Sequence, residues 1–212
     1  SYSFTLSVSD GEFTTTKDVT INVVDVQEAP VFTSPNAFTI SENVTNVGTL
    51  TATDGDGDTL SFSISGTDAS LLTVNSSSGA LSLNSASDYE TKQSYALTAS
   101  VTDGNTTVNQ NITISVIDTE EAPTFTSASS FTVNENQTSI GTLQATDPQN
   151  DTLTYSISGT DASSISVNSS SGVLTFNSAP DYETKTSYSI TTEASDGENN
   201  ISRSVGIFIV NV

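Results

Sequence analysis

A repeat of 93 residues constrains the fold of this 212-residue chain more than any other feature. The segment Asp88-Tyr89-Glu90-Thr91-Lys92 returns as Asp181-Tyr182-Glu183-Thr184-Lys185, and 181 − 88 = 93. Glu42-Asn43 returns as Glu135-Asn136 at the same step. Because this period exceeds the roughly 20–45 residues of a solenoid repeat, each copy is predicted to be a small domain of its own.

The element Glu-Ala-Pro-x-Phe, which occurs at 28–32 and 121–125, marks the boundaries of the copies. Proline ends one regular segment and favours an extended start for the next. We therefore predict two complete repeats, 31–117 and 124–212, with linkers at 25–30 and 118–123. Residues 1–24 match only the last two strands of a preceding repeat, so we expect the chain to be a piece of a longer protein.

Alternation of apolar and polar residues predicts strands throughout each copy. In the first copy they are expected near 38–41, 47–53, 60–65, 71–74, 80–83, 94–102 and 107–117. The inward-facing residues of the last two strands are predicted to be Tyr95, Leu97, Ala99, Val101, Ile112, Ile114 and Val116. Asn75–Gly79 and Asn168–Gly172 indicate hairpin turns. The predicted fold is all-β: tandem seven-stranded Greek-key sandwiches of immunoglobulin-like type, arranged end to end.

The apolar side chains of residues 1–24 alternate in the same way, with Tyr2, Phe4 and Leu6 on one strand. A lone hairpin is at best marginally stable in water. An ordered hairpin here is therefore expected to have its apolar face covered by another element.

The charge balance excludes several partners. The chain has 25 acidic and 4 basic residues and a net charge of −21, so it repels nucleic acid and anionic lipid. No apolar run approaches the ~18 residues needed to cross a bilayer. Cysteine and histidine are both absent, which removes disulfides and the common ligands of zinc and copper. Excess acid serves either solubility or the binding of a hard cation, and the positions of the acids distinguish the two.

The acids cluster at five places in each copy: Glu-Asn, Ala-Thr-Asp, Asp-Tyr-Glu, Asp-Gly and an exit Asp-x-x-Glu. In this order, and with the acidic linker Asp118-Thr119-Glu120-Glu121-Ala122-Pro123-Thr124-Phe125, they resemble the cadherin repeat in its shorter bacterial form. Packed carboxylates repel one another without a cation, and six to eight hard oxygens suit Ca²⁺.

The resemblance implies about three Ca²⁺ ions at each complete junction between repeats. For the junction around 118–123 it implies the ligands Glu42, Asp88, Glu90, Asp118, Glu120, Glu121, Asp147 and Asp196. For the linker 25–30 it implies an incomplete set, Asp25, Glu28, Asp54, Asp56 and Asp103. At the exit of the second copy it implies Glu135, Asp181 and Glu183, with Asn211 in place of Asp118.

Two glutamines depart from the family pattern. Gln149 stands where the second acid of Asp-x-Asp is expected, and Gln27 stands where the other linker has Glu120. The resemblance leaves two alternatives at Gln149: one ion held less tightly, or coordination by the amide oxygen. An EF-hand at Asp54–Ser65 is excluded because its sixth and twelfth positions are Thr59 and Ser65.

The repetition of the acidic pairs at the same place in each copy favours a structural role over catalysis, so we predict that the chain is not an enzyme. We predict an extracellular, cell-surface segment of a bacterial adhesin, a stalk that Ca²⁺ makes rigid and that serves calcium-dependent cell adhesion. Its expected partners are neighbouring repeats of the same chain. The alternatives are homophilic self-association or binding of a cell-surface glycan or polysaccharide. The chain has no tryptophan, which excludes a Trp-anchored strand swap.

Overall fold

The computed structural model describes residues 1–212 and consists almost entirely of β-strands. It has twenty strands and two single-turn 3₁₀ helices, Ala69–Leu71 and Ala162–Ser164. Neither 3₁₀ helix is long or apolar enough to span a membrane.

The first two strands form an isolated antiparallel hairpin, β1 (Tyr2–Ser9) with β2 (Thr14–Ile21). Its turn is stabilised by Asp10, whose Oδ1 accepts the backbone N–H groups of Glu12 and Phe13 at 3.0 and 2.7 Å. The hairpin confirms the strands predicted for 1–24. No part of this chain covers its apolar side chains, since Tyr2, for example, is 69% exposed.

The first copy contains nine strands, most of them at the predicted places. They are β3 (Val31–Phe32), β4 (Ala37–Ser41), β5 (Asn46–Thr49), β6 (Ala52–Thr53), β7 (Ser61–Ser65), β8 (Leu72–Val74), β9 (Ala80–Leu83), β10 (Ser94–Thr102) and β11 (Thr107–Ile117). They form a four-stranded sheet of order β4-β11-β10-β7, a three-stranded sheet of order β5-β9-β8 and the short pair β3-β6.

The second copy repeats this topology. Its strands are β12 (Thr124–Phe125), β13 (Ser130–Asn134), β14 (Ser139–Thr142), β15 (Ala145–Thr146), β16 (Thr154–Ser158), β17 (Ile165–Val167), β18 (Val173–Phe176), β19 (Ser187–Ser195) and β20 (Asn200–Val210). The sheets are β13-β20-β19-β16, β14-β18-β17 and β12-β15. The core of this copy lies between the two larger sheets, because its buried residues come from both, such as Leu174 of β18 and Ile207 of β20. The predicted all-β sandwich is confirmed.

Alternation along β10 and β11 also predicts burial correctly. All seven residues expected to face inward are at most 7% exposed, with Ala99 and Ile114 fully buried. Successive residues of a strand point to opposite faces of its sheet, so one face of these long strands supplies the core.

The hairpin turn at Asn168–Gly172 is confirmed, and it contacts the segment between β14 and β15. Asn168 Oδ1 accepts the N–H groups of Ser170 and Ser171 at 3.1 and 2.9 Å. Gly172 has φ +70°, and a Cβ there would collide with the carbonyl oxygen of Leu143. The turn therefore requires glycine for its backbone conformation and for its close approach to Leu143.

One predicted strand, 47–53, is divided in the structure. β5 ends at Thr49 and β6 begins at Ala52, with Leu50 fully buried between them. The N–H of Leu50 donates to the carbonyl of Gly79 (2.9 Å), while β6 leaves to pair with β3. The pair β3-β6 has only two residues per strand, too few for a periodic pattern, and β3 was not predicted.

The chain divides into two compact units. Unit 1 comprises Ser1–Ser87 and Ser94–Ser115, and unit 2 comprises Asp88–Gln93 and Val116–Val212.

Candidate metal centre

Acidic side chains of unit 2 lie just beyond the ends of strands. Asp147 follows β15, Asp196 follows β19, and the acidic segment from Asp118 to Glu121 follows β11. The strands are held by the sheets, so the loops at their ends present these carboxylates from defined positions.

Asp147 and Asp196 share an unusual arrangement of their carboxylates. Oδ1 of Asp147 accepts the N–H of Asp151 at 3.1 Å, and Oδ1 of Asp196 accepts the N–H of Glu198 at 2.7 Å. In both residues Oδ2 is buried and has no hydrogen-bond partner. Asp147 is only 9% exposed. A buried polar atom without a partner costs free energy, so a bound cation would stabilise these two oxygens.

The equivalent aspartates of unit 1 are arranged in the same way. Oδ1 of Asp54 accepts the N–H groups of Asp56 and Asp58 at 3.0 and 3.2 Å, and Oδ1 of Asp103 accepts the N–H of Asn105 at 2.7 Å. Oδ2 of Asp54 and Oδ2 of Asp103 are again buried without a partner. Backbone donors orient one oxygen of each residue and leave the other for a hard cation, so these residues fit Ca²⁺.

Glu120 lies within the negative field of this cluster in unit 2. Its pKa is raised above the ordinary value, first by partial loss of hydration and then by the charges of Asp151, Glu198, Asp196 and Asp147. A folded chain with a raised carboxyl pKa binds the proton more tightly than the unfolded chain does. Without a cation, ionised Glu120 therefore destabilises the fold at neutral pH, and this effect disappears as the pH falls through the raised pKa.

Replacing Glu120 by glutamine should have opposite effects with and without calcium. In EDTA at pH 7, Glu120→Gln should raise the melting temperature, because it removes the repulsion from the neighbouring acids. The gain should vanish well below the ordinary pKa of glutamate, at pH ~3, where Glu120 is protonated in both the folded and the unfolded chain. In millimolar calcium the substitution should lower the melting temperature, because a charged ligand is lost. Calorimetry under these three conditions is the measurement, and a lower melting temperature in EDTA at pH 7 would contradict the repulsion.

The structure also groups acids at the exit of the second copy. Glu135, Asp181 and Glu183 each offer a carboxylate oxygen, and these atoms lie within 4.8 Å of one another. Glu135 is 7% exposed and accepts the N–H groups of Tyr182 and Val212 at 3.2 and 3.1 Å. The hydroxyl of Thr184 donates to Oδ2 of Asp181 at 2.8 Å, and this hydrogen bond is the first cause of the lowered pKa of Asp181. The three predicted residues are brought together.

In unit 1, the linker 25–30 contacts the Asp-Gly-Asp-Gly-Asp loop. The N–H of Glu28 donates to Oδ2 of Asp56 at 2.9 Å. A Cβ at Gly55 would collide with the Glu28 carboxylate, so glycine permits this approach. Carboxylate oxygens of Asp54, Asp56 and Asp58 lie within 4.8 Å of one another.

Among the remaining predicted ligands, Asp88 and Glu90 offer carboxylate oxygens that lie within 4.8 Å of one another. Asp25 is exposed, and Glu42 is 3% exposed in unit 1. Asp88 and Glu90 belong to unit 2, where Asp88 accepts the hydroxyl and the N–H of Thr91, both at 2.9 Å.

Three acids near these clusters were missed from the sequence. Asp58 accepts the amide of Gln27 at 2.6 Å, and Asp151 is the first of the charges that raise the pKa of Glu120. A signal was present, since 151 − 58 = 93 places both at the same step of the repeat. Glu198 was also missed; the corresponding residue of the first copy is Asn105, so repetition gives no signal for it.

Tandem β-sandwiches with matching acidic clusters beyond their strand ends define a class of repeat-built proteins. The family model of the cadherin domain matches residues 36–118 and 129–212. The chain belongs to the cadherin family.

Known proteins agree with this assignment. Human protocadherin Fat 4 is 36% identical over 201 residues, which are 84% of this chain and 4% of that protein. Human cadherin-23 is 32% identical over 187 residues, 81% of this chain and 6% of that protein. The chain therefore spans only a small part of these relatives.

Solved structures show the same fold. A crystal structure of mouse cadherin-23 EC22-24 matches with a TM-score of 0.54 and 25% identity, covering 99% of this chain and 74% of that chain. A crystal structure of human protocadherin-24 EC1-2 matches with a TM-score of 0.60, covering 87% of this chain and 99% of that chain. At 22% identity, the second likeness concerns the fold alone.

Proposed function

We propose that this chain is a calcium-rigidified segment of an extracellular stalk that serves cell adhesion. The observation that carries the proposal is the set of four buried, unpartnered oxygens on Asp54, Asp103, Asp147 and Asp196. They occur at matched positions in the two copies, which favours a shared ligand over a chance surface charge.

Calcium is the ion that this donor set favours. The four unpartnered donors are carboxylate oxygens, and the chain has neither cysteine nor histidine. Ca²⁺ takes six to eight such oxygens in flexible geometry, whereas Mg²⁺ demands a near-octahedral shell. In unit 2, one part of the bound calcium would be held by Asp147, Asp196 and Glu120. Another part would be held by Asp118, Glu121 and Glu90. We propose about three ions at the complete linker.

The domain division is part of the proposal. We place complete repeats at 31–117 and 124–212, linkers at 25–30 and 118–123, and a terminal hairpin at 1–24. The two family matches, 36–118 and 129–212, support the number of complete repeats. With ligands drawn from both repeats and the linker, bound calcium would replace repulsion between carboxylates by attraction to a shared ion. A chain of such linkers would then resist bending, which is what a stalk requires.

Small-angle X-ray scattering in millimolar calcium and in excess EDTA tests this proposal. With calcium we expect one extended particle, and in EDTA a broader distribution of dimensions. Magnesium at the same concentration is the control ion, and it should not restore the calcium profile.

A double variant, Asp147→Asn with Asp196→Asn, should keep the EDTA profile when calcium is added. Superimposable profiles of the unmodified chain with and without calcium would refute calcium rigidification and leave the charge a role in solubility.

Adhesion by contact between copies is the second candidate function. A structure of protocadherin gammaB7 EC3-6, 26% identical to this chain with a TM-score of 0.55, is described as a cis-dimer. Sedimentation of this chain over a range of concentrations in calcium would test self-association. Origin in a bacterial surface adhesin, binding to a glycan and the absence of catalysis stay predictions.

A further inference from the structure

Gln149 lies at the centre of a group of oxygen atoms in unit 2. Its amide nitrogen Nε2 is 3.4 Å from Glu90 Oε1, 3.5 Å from Asp118 Oδ1, 3.4 Å from the carbonyl oxygen of Thr119 and 3.4 Å from Glu121 Oε2. A primary amide has two hydrogens, so it cannot bond four acceptors well at once. The long, nearly equal distances describe an electropositive group surrounded by oxygens.

The oxygen atom of the same amide, in contrast to the nitrogen, has no acceptor or donor beside it in hydrogen-bonding geometry. Oε1 of Gln149 is buried and has no hydrogen-bond partner. Gln149 lines a surface recess of about 340 Å³ together with Tyr89, Glu90, Gln93, Asp118, Pro148 and Asn150. The oxygen that could coordinate a cation is therefore not used by the protein, and the nitrogen faces the acids.

The first copy has an aspartate at the corresponding position. Asp56 carries a carboxylate where Gln149 carries an amide (149 − 56 = 93). Asp56 accepts the N–H of Glu28 at 2.9 Å and lies in the carboxylate group with Asp54 and Asp58. One linker thus has a charged ligand at this position, and the other has a neutral donor and acceptor.

We infer that Gln149 sets the calcium affinity of its linker. When no ion is bound, its amide partly offsets the negative charge of the neighbouring acids. When calcium binds, the neutral amide holds the ion less tightly than the carboxylate of Asp56 does at the corresponding position of the first copy. This inference rests on the proposed function. To bind calcium, the amide must turn until Oε1 faces the ion, or withdraw. In the first case the ion gains a neutral oxygen in place of a carboxylate, and in the second it gains none. The linker at 118–123 should therefore load calcium at a higher concentration than an Asp-bearing form.

An observation independent of the acidic group points to a ligand here. Asp147, two residues from Gln149, is 91% buried (9% exposed) and its Oδ2 lacks any partner.

The test is calcium titration of the whole chain by calorimetry, with Gln149→Asp and Gln149→Glu compared to the unmodified protein. At least one of the two variants should bind calcium about tenfold more tightly at one position, because a charged ligand replaces a neutral one. Both should be less stable than the unmodified chain in EDTA, because an extra carboxylate joins the group. Asp56→Gln, the reciprocal variant, should lose affinity in the first copy, and Glu193→Gln on β19 is the control outside the clusters.

The outcomes separate the two proposals. If neither the unmodified chain nor the Gln149 variants bind calcium, the proposed function is wrong. If the unmodified chain binds calcium and both folded variants bind it with unchanged affinity and stoichiometry, the role of Gln149 is overturned while the proposed function stands. Circular dichroism of each variant in EDTA establishes that it is folded. A Gln149→Leu variant, which has neither donor nor charge, should be less stable in EDTA than the unmodified chain; equal stability would also overturn the inference.

Discussion

Calcium should raise the free energy of unfolding by at least about 2.7 kcal/mol, the mass-action stabilisation from one site at a hundred times its Kd. Further sites add to this value if they bind only the folded chain. In unit 2 the effect should depend on Asp147, whose buried Oδ2 lacks a partner. Asp147→Asn should lose a large part of the calcium-dependent stabilisation, yet it should be neutral or slightly stabilising in EDTA, because it removes one of several neighbouring negative charges. Thermal or urea unfolding, in EDTA and at several calcium concentrations, measures the stability of the variant and the part of it that depends on calcium.

The matched control for this prediction is Glu193→Gln. Glu193 lies on β19, and its carboxylate oxygens accept the hydroxyls of Ser156 and Ser202, both at 3.4 Å. The substitution removes one negative charge, as Asp147→Asn does, but outside the acidic clusters. An equal loss of calcium stabilisation in the two variants would contradict a specific site and indicate general charge screening.

Truncation of Leu174 should destabilise unit 2 by about 3–5 kcal/mol, whether or not calcium is present. Leu174 is fully buried on β18, the central strand of the sheet β14-β18-β17, where it is paired with Gly141 and Val167. Leu174→Ala removes buried apolar surface and leaves a cavity that the flanking strands cannot fill. Urea unfolding in EDTA and in calcium measures the change.

Val173, the preceding residue on the same strand, provides the control for Leu174. It is 41% exposed, because it points to the opposite face of the sheet. Val173→Ala should cost less than about 1 kcal/mol. Similar losses for the two substitutions would mean that strand propensity, rather than core packing, determines the effect.

The strands and the core were predictable because both depend on local pattern. The two long strands β10 and β11 have the predicted bounds, 94–102 and 107–117. Period-2 alternation directs apolar side chains to one face, and burial of that face dominates the stability of a sandwich. The pair β3-β6 could not be predicted in this way, since a two-residue strand has no period and is held by its partner.

The candidate metal residues were identified by repetition and by resemblance to the cadherin repeat. The sequence could place Asp54 with Asp147 and Asp103 with Asp196 as equivalent positions, because the repeat length does not change. It could not reveal that one oxygen of each is bound by backbone N–H groups while the other lacks a partner. That division depends on the turns that follow β6, β10, β15 and β19, where the local backbone donors converge on Oδ1.

By itself, the amino-acid sequence determined the repeat, the all-β class and the chemistry of the acidic clusters, because these follow from periodicity and residue type. Tertiary structure alone decided the surroundings of Gln149, whose amide meets acceptors from Glu90 and Glu121, 59 and 28 residues away. It also decided that Glu120 is the acid with a raised pKa, because Asp151 and Glu198 come near it only in the folded loops. Electrostatic interactions depend on distance in space, and the fold sets those distances.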